Sequence, residues 1–342
     1  MKSIPALADW NSLLDATSHA DSIVRCDSAR LLGELGDPRA VPALTSMLER
    51  DAHTSKITAV YALGAIGDRK AVPVLRRIAD DPGVFRFPAM HYHDMIRLAA
   101  AMELARWNEP SGITIVSDLL RMSRLPALFE LSQAILSSPH TEAMKRLLDY
   151  VSLPYLLSYH HDRTASSHYF LARALAYFQE PAARKQLVSY LSHFSRYVRP
   201  EAASSLLAQD ASKVNLCLVA SQAKRERTPF ARIRFARILH EHGVGDATAV
   251  LTRGLKNKDS FVRATAIDAA AACRISTLAP AVIALLTDAD FYVRICAAEA
   301  MENLAPQQAD GLLAPLLKDS HPRVAVQAAK SRLACARIWE QK

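Results

Sequence analysis

Apolar residues recur along the chain at the spacing of helices that bury one face. In the segment VRCDSARLLGELG, such a stripe is formed by Val24, Ala29, Leu32 and Leu35. Steps of three and four residues place these side chains on one side of a helix. Gly36 then suits the left-handed conformation that ends many helices, and Pro38 suits the first position of the next one. The pattern predicts an all-α chain of short helices joined by tight turns.

The helical pattern returns at a fixed interval. Residues 24–44 read VRCDSARLLGELGDPRAVPAL and residues 55–75 read SKITAVYALGAIGDRKAVPVL, so that Gly36 and Gly67 lie 31 residues apart. A unit of this length cannot bury its own apolar face and has to stack on its neighbours. We therefore expect one α-solenoid over residues 1–342. Its roughly ten helix pairs would begin near residues 4, 38, 69, 110, 140, 181, 211, 245, 276 and 307.

The repeating residues carry a resemblance to a known family. The pattern Asp…Val-Arg…Ala…Leu-Gly-x-Leu-Gly-Asp…Ala-Val-Pro-x-Leu resembles bacterial HEAT repeats, particularly the short subtype of the phycobilisome lyase-like proteins. The resemblance covers nearly the whole chain and implies an armadillo-like superhelix of HEAT-type helix pairs. It leaves function open, because such repeats serve scaffolds, chromophore lyases and nucleic-acid binders alike. Deoxyhypusine hydroxylase, a di-iron HEAT-repeat enzyme, takes its ligands from several His-Glu pairs, whereas only His240-Glu241 occurs here.

Composition excludes some classes of protein. The chain has 42 basic and 34 acidic residues, which gives a net charge of +8, and 7% of its residues are aromatic. Its five cysteines are scattered and include no C-x-x-C pair, which favours free thiols in a reducing compartment. The amino-terminal segment lacks the apolar stretch of a signal peptide, and no segment has the ~18 apolar residues of a membrane span. We expect a cytoplasmic protein without membrane insertion and without a cofactor.

A basic residue recurs near the start of each second helix. The set consists of Arg25, Lys56, Arg97, Arg199, Arg232, Arg263, Arg294 and Arg323. An interface that repeats in every unit requires the same residue each time, so the set predicts an inter-repeat hydrogen-bond ladder of Asp and Arg side chains. The net positive charge supports a second interpretation, a basic groove for an acidic partner or a nucleic acid. Its residues would be Arg232, Arg234, Arg263 and Arg294.

Two insertions interrupt the repeat interval. Their extra residues fall in PGVFRFPAMHYHD (82–94) and in YVSLPYLLSYHHDRT (150–164). Both lie between the first and second helix of their units, so we expect them on the same edge of the solenoid, where repeat proteins commonly bind partners. The predicted partner-binding residues are Phe85, Phe87, His91, Tyr92, His93, Tyr155, Tyr159, His160 and His161. Alternatively, each loop covers apolar surface and its histidines are solvated.

The same insertions contain weak metal candidates. Histidine and carboxylate side chains are suitable ligands, but the patterns H-x-H-D and H-H-D are not specific without geometry. The candidate ligands are His91, His93, Asp94, His160, His161 and Asp162.

The sequence contains no catalytic motif of the G-x-S-x-G, P-loop or H-E-x-x-H type. We therefore expect a non-enzymatic binding scaffold whose partner is a protein or a peptide. Two alternatives stay open. One is a lyase-like or isomerase-like protein that handles a bilin-type tetrapyrrole, as the resemblance implies, and the other is a nucleic-acid-binding helical-repeat protein.

Overall fold

The computed structural model describes residues 4–51, 53–80, 92–115, 157 and 165–340. Throughout these residues the regular structure is helical, and none of them lies in a strand. The predicted all-α class is confirmed. Contacts divide the chain into two compact units, of which unit 1 comprises Met1–Ser152 and Ala325–Lys342 and unit 2 comprises Leu153–Val324.

The helices follow the predicted alternation of first and second helices. Unit 1 contains α1 (Ile4–Ala16), α2 (Ser22–Leu35), α3 (Val41–Arg50), α4 (His53–Ile66), α5 (Val72–Ala79) and α6 (Tyr92–Arg106). Unit 2 contains α7 (Ala165–Leu175), α8 (Pro181–Tyr190), α9 (Val198–Gln209), α10 (Lys213–Arg225), α11 (Pro229–Glu241), α12 (Thr248–Leu255), α13 (Ser260–Ala272), α14 (Ala279–Ala284), α15 (Phe291–Leu304) and α16 (Ala309–Leu313). The last helix, α17 (Pro322–Glu340), begins in unit 2 and belongs to unit 1 from Ala325 onwards.

Each unit is a stack of helix pairs. A first helix packs on the second helix of its own pair, as α3 does on α4 and α12 does on α13. Second helices also pack on one another, α2 on α4 and α4 on α6 in unit 1, and α9, α11, α13 and α15 in a row in unit 2. The second helices therefore form one continuous layer within each unit, as expected of helical repeats.

The helix ends are fixed by the residues that the sequence pattern singles out. Asp21, Asp259 and Asp290 each precede a second helix and accept a hydrogen bond from the backbone N–H two residues later. Such caps satisfy a donor that the helix itself leaves unpaired. Gly36 ends α2 in the left-handed region at φ 64°, as predicted. Thr228, at the same position before α11, donates its hydroxyl to Glu226 and accepts no N–H of that helix.

The first glycine of each L-G-x-x-G motif allows neighbouring second helices to approach closely. A Cβ atom added at Gly33 of α2 would lie 2.8 Å from the Cα atom of Ala62 on α4. A Cβ atom at Gly64 would overlap the carboxylate of Glu103 on α6. Glu103 is fully buried beside Arg106, and burial raises its pKa to about 7 although the Arg106 charge acts in the opposite direction.

Residues from the carboxyl-terminal part of α17 contribute two ion pairs to unit 1. Arg332 donates to Asp9 of α1 at 2.9 Å, and both side chains are nearly buried. Lys330 lies 3.5 Å from Glu34 of α2. Trp10, which the sequence places in the first helix, is buried under the guanidinium of Arg39 at 4.6 Å.

Most of the two predicted insertions, 82–94 and 150–164, lies outside the described residues. Within the first insertion, Tyr92, His93 and Asp94 form the first turn of α6 rather than a loop. Of the second insertion, only residue 157 is described. The single solenoid over residues 1–342 and the shared edge of the two insertions stay predictions.

Candidate functional site

The basic ladder links four of the second helices to the loop before the next second helix. The side chain of Arg263 donates to Asp288 through Nε at 2.9 Å and through a terminal nitrogen at 2.7 Å. Arg294 binds Asp319 in the same two-point geometry, with both distances 2.8 Å. The equivalent pairs are Arg25 with Asp51 and Arg199 with Glu226. Fork-shaped pairs of this kind fix orientation as well as adding energy.

The four paired arginines also donate to carbonyl oxygens of their own preceding turns. The second terminal nitrogen of Arg263 donates to the carbonyl oxygens of Asn257 and Lys258 at 2.8 and 3.1 Å. Arg294 contacts Asp288 and Ala289 in the same way. The donors of the guanidinium are thus used within the fold, and they join one turn to the next.

We call each arginine–acid pair a rung of the ladder. In unit 2, the acid of a rung also accepts a backbone hydrogen bond that holds its loop. Asp288 accepts from the backbone N–H of Asp290 at 2.9 Å, and Asp319 accepts from His321 at 2.8 Å. Desolvation alone would raise the pKa of both carboxyls, but the hydrogen bonds and the arginine charge outweigh it and lower the pKa. The rungs are therefore charged at neutral pH.

The four arginines predicted to form a basic groove make different kinds of contact in the structure. Arg263 and Arg294 are rungs of the ladder. Arg234 lies 3.5 Å from the buried carboxylate of Glu201. Arg232 is exposed and, among the described residues, its side chain has neither a hydrogen bond nor an ion pair. The four arginines share unit 2 but do not present one continuous set of unpaired charges.

A row of aromatic residues, three of them exposed, runs along unit 2 and was not predicted. Phe230, Phe261 and Tyr292 are the second residues of α11, α13 and α15, and Tyr197 directly precedes the first residue of α9. The members, which we call the aromatic stripe, are Tyr197, Phe230, Phe261 and Tyr292. Tyr197, Phe261 and Tyr292 are 39%, 41% and 42% exposed. The sequence contains this signal as an aromatic residue two or three positions before Arg199, Arg232, Arg263 and Arg294.

Neighbouring rings of the aromatic stripe contact one another. The ring centroids of Tyr197 and Phe230 lie 4.9 Å apart with a tilt of 58°, and those of Phe230 and Phe261 lie 5.4 Å apart and nearly parallel at 18°. Beside the stripe, the guanidinium of Arg196 lies 5.0 Å from the Tyr197 ring centroid, while that of Arg323 lies 5.7 Å from Phe291. Arg323, expected to be a ladder residue, thus contacts an aromatic ring of the preceding repeat.

A carboxyl group with a high pKa lies on the layer of second helices. Asp268 of α13 is exposed, yet the surrounding protein desolvates it and raises its pKa to about 6. The charge of Glu299 on α15 raises it further, whereas Arg237 and Arg234 act in the opposite direction. The layer therefore contains a group that exchanges protons near neutral pH.

Most residues of the predicted binding site in the two insertions lie outside the part of the chain that the structure describes. Phe85, Phe87, His91, Tyr155, Tyr159, His160, His161 and Asp162 lie outside the described residues. Elsewhere, no cluster of histidine, cysteine and acidic side chains within the described part of the chain has the geometry of a metal site. Over the same ranges, no helix combines the length and the apolar character that a bilayer crossing requires.

Comparison with known proteins identifies the repeat. Residues 11–90 match the family model of HEAT repeats. None of the curated proteins compared with the chain matches it. Three similar structures are an engineered protein, human deoxyhypusine hydroxylase in complex with glycerol, and the complex of CpcE and CpcF of phycocyanin lyase from Nostoc sp. PCC7120.

These structural similarities are distant. The engineered protein is 19% identical, covering 96% of this chain and 99% of its own, with a TM-score of 0.37. The hydroxylase is 17% identical over 88% and 97%, with a TM-score of 0.34, and the lyase complex is 18% identical over 94% and 93%, with a TM-score of 0.26. The family match and the stacked helix pairs together show an all-α helical-repeat fold in which residues 11–90 contain HEAT repeats.

Proposed function

We propose that the chain is a binding scaffold that holds a segment of another protein along the aromatic stripe of unit 2. One observation carries the proposal: an aromatic residue recurs at the start of four successive second helices, and three of the four are exposed. Solvent-exposed positions are usually polar, and contiguous exposed apolar surface marks interaction sites. Aromatic residues are also the type most enriched where proteins bind one another.

The packing of the rings favours a protein or peptide over a nucleic acid. Single-stranded nucleic acids bind by stacking bases on free aromatic faces. In the stripe, Phe230 is in contact with Tyr197 on one side and with Phe261 on the other. The rings therefore cover part of each other's faces, and their edges remain for contacts with aliphatic and aromatic side chains.

Charge beside the stripe indicates the character of the partner. Arg196, Arg227 and Lys258 are exposed in or next to the turns that lead into the second helices. Among the described residues, none of the three forms an ion pair with a carboxylate. Complementary charge directs association and specificity. We therefore expect a partner segment that carries acidic residues among apolar ones.

The insertions at 82–94 and 150–164 belong to the same proposal as a second contact region. Replacing each with a turn of standard length should weaken partner capture, and undiminished capture would remove them from the site. The cytoplasm as the location also belongs to the proposal, and it is consistent with five cysteines that are all free.

A displayed library of random peptides tests the stripe. Clones selected on the wild-type protein are synthesised with a fluorescent label, and their binding is measured by fluorescence anisotropy. The double variant Phe230→Ser, Phe261→Ser should bind selected peptides at least about tenfold more weakly, since two aromatic anchors at ~1 kcal/mol or more each are lost. Selected sequences should be enriched in acidic and apolar residues.

A matched variant separates the stripe from exposed apolar surface in general. Val214 and Leu218 of α10 are also exposed, at 63% and 39%. The variant Val214→Ser, Leu218→Ser should therefore bind within about twofold of the wild type. Equal losses in the two variants would contradict the proposal. A labelled single-stranded oligonucleotide that bound strongly and lost affinity in the stripe variant would assign the stripe to nucleic acid instead.

A further inference from the structure

One rung of the ladder in unit 2 lacks its acid. Asp288 follows Arg263 by 25 residues, and Asp319 follows Arg294 by 25 residues. The residue at the same distance from Arg232 is Asn257. The side-chain oxygen of Asn257 accepts a hydrogen bond from the backbone N–H of Asp259 at 3.0 Å, as the acids of the other rungs in unit 2 do from their own loops. The neutral amide does not supply the negative charge of the rung.

The missing acid changes the environment of Arg232. The amide of Asn257 has an NH₂ group where a carboxylate would have a second acceptor oxygen, and arginine is only a donor. Arg232 is accordingly exposed and, within the described residues, makes none of the carbonyl contacts that Arg263 and Arg294 make with their preceding turns. Its charge is available to a ligand.

A pocket lies at this broken rung. Its volume is about 170 Å³, and it lies between α11 and α12. The lining residues are Pro229, Arg232, Ile233, Val250, Arg253, Gly254 and Asn257. At about 30 Å³ for each water molecule, the space corresponds to several waters and accommodates a small anionic group.

The pocket is positively charged. Arg253 uses one donor on the carbonyl oxygen of Ala249, at 3.2 Å, which leaves its terminal nitrogens for a ligand. None of the lining residues is acidic. The nearest acid in the sequence, Asp259, caps α13. Exposed Lys256 and Lys258 add positive charge beside the pocket.

We infer that this pocket binds a phosphate group in place of the missing carboxylate. Two guanidinium groups and a side-chain amide offer two positive charges and several donors, which match the charge and the acceptor oxygens of a phosphate dianion. A carboxylate with a single charge would leave one guanidinium unbalanced. The phosphate is either free or carried by a partner molecule.

Isothermal titration calorimetry of the full chain tests the inference. The ligands are inorganic phosphate, a short phosphoserine peptide and acetate, each titrated at constant ionic strength. Three variants are compared with the wild type: Arg232→Gln removes the free charge, Asn257→Asp completes the rung, and Lys318→Gln removes an exposed charge at a distance in the same unit.

Phosphate should bind the wild type and Lys318→Gln equally and should bind at least about tenfold more tightly than acetate. Arg232→Gln and Asn257→Asp should each weaken phosphate binding by about tenfold or more, since each removes a charge-assisted contact. Asn257→Asp should also raise the melting temperature by about 2 °C, because the new carboxylate pairs with Arg232. This variant remains informative because its folding is expected to improve.

The comparison of the ligands shows whether the bound phosphate is a free ion or part of a phosphorylated partner. Tighter binding of the phosphoserine peptide indicates a phosphorylated partner, and tighter binding of inorganic phosphate indicates a free ion, so either ranking supports the site. Phosphate binding that Asn257→Asp leaves unchanged would overturn the inference. The absence of measurable phosphate binding to the wild type would overturn it as well.

Discussion

The rung formed by Arg294 and Asp319 should contribute more stability than an ordinary surface ion pair. Its side chains are only 13% and 8% exposed, and two hydrogen bonds of 2.8 Å join them. Removing one member of a buried pair costs about 3–5 kcal/mol, and the residual exposure here reduces that figure. We expect Arg294→Gln to lower the free energy of unfolding by about 2–3 kcal/mol, because it also removes two carbonyl contacts. Asp319→Asn should cost about 1–2 kcal/mol, since an asparagine retains the loop bond.

A double-mutant cycle isolates the interaction between the two side chains. Urea denaturation, followed by circular dichroism, should give a coupling free energy of about 1–2 kcal/mol between Arg294 and Asp319. The exposed pair Arg237 and Glu241 on α11 is the matched control, with an expected coupling of about 0.3–0.5 kcal/mol. A coupling below about 0.5 kcal/mol for the ladder pair would refute the reasoning.

The rung should also depend on pH in one direction. The pKa of Asp319 is lowered in the folded protein, so the stabilisation is fully present above the ordinary pKa of an aspartate, 3.8. It should disappear as the pH falls from that value through the lower, folded pKa. The coupling free energy measured well below pH 3.8 should therefore be smaller than that measured at neutral pH. A coupling that is unchanged there would show that charge pairing does not hold the rung.

Three further predictions concern the packing and the charges of the second helices. Burial raises the pKa of Glu103 from 4.5 to about 7, so the wild-type free energy of unfolding should fall by up to about 3 kcal/mol as the pH rises through that interval. Glu103→Gln should make the urea midpoint nearly independent of pH between 4.5 and about 7. Gly33→Ala should lower the free energy of unfolding by about 1–3 kcal/mol in urea denaturation, because a Cβ atom there meets backbone, whereas Gly311→Ala, with open space around it, should be neutral or slightly stabilising. In carbon-13 NMR, the carboxyl of Asp268 should titrate near pH 6, and Glu299→Gln should lower that pKa by removing a neighbouring negative charge. An unchanged titration midpoint in this variant would contradict the contribution of Glu299.

The sequence predicts the helix pairs well because repetition supplies many copies of each signal. Gly36 marks a helix end for local reasons, and Pro38 begins the short 3-10 turn, Pro38–Ala40, that leads into α3. First helices begin at Lys213, Thr248 and Ala309, where the sequence predicts starts near 211, 245 and 307. Such boundaries follow from backbone conformation and capping, which depend on a few adjacent residues.

The sequence predicts that a ladder of Asp and Arg side chains exists, but it does not predict which acid pairs with which arginine. An acid four residues before several of the arginines is visible in the sequence, yet Asp259 caps α13 and Arg263 pairs with Asp288 in the next loop. Caps are local, whereas the rung joins residues about one repeat apart, so only packing decides between the two acids. The substitution of asparagine at position 257 becomes informative once that pairing is known.

The aromatic stripe needs the register of the helices. Tyr197, Phe230 and Phe261 are separated by 33 and 31 residues in the sequence. Their common place at the start of a second helix becomes evident when the first residue of each second helix is fixed. Exposure then distinguishes them from the buried apolar residues beside them, such as Val262 and Val293.

Photochemical cross-linking from the stripe tests the proposed binding surface most directly. A photoreactive phenylalanine analogue, p-benzoylphenylalanine, replaces Phe261 in one sample and Leu218 in another, and each is irradiated with a selected peptide. Mass spectrometry should find peptide adducts at position 261 and none above background at position 218. Adducts at position 218 alone, or equal yields at the two positions, would contradict the account.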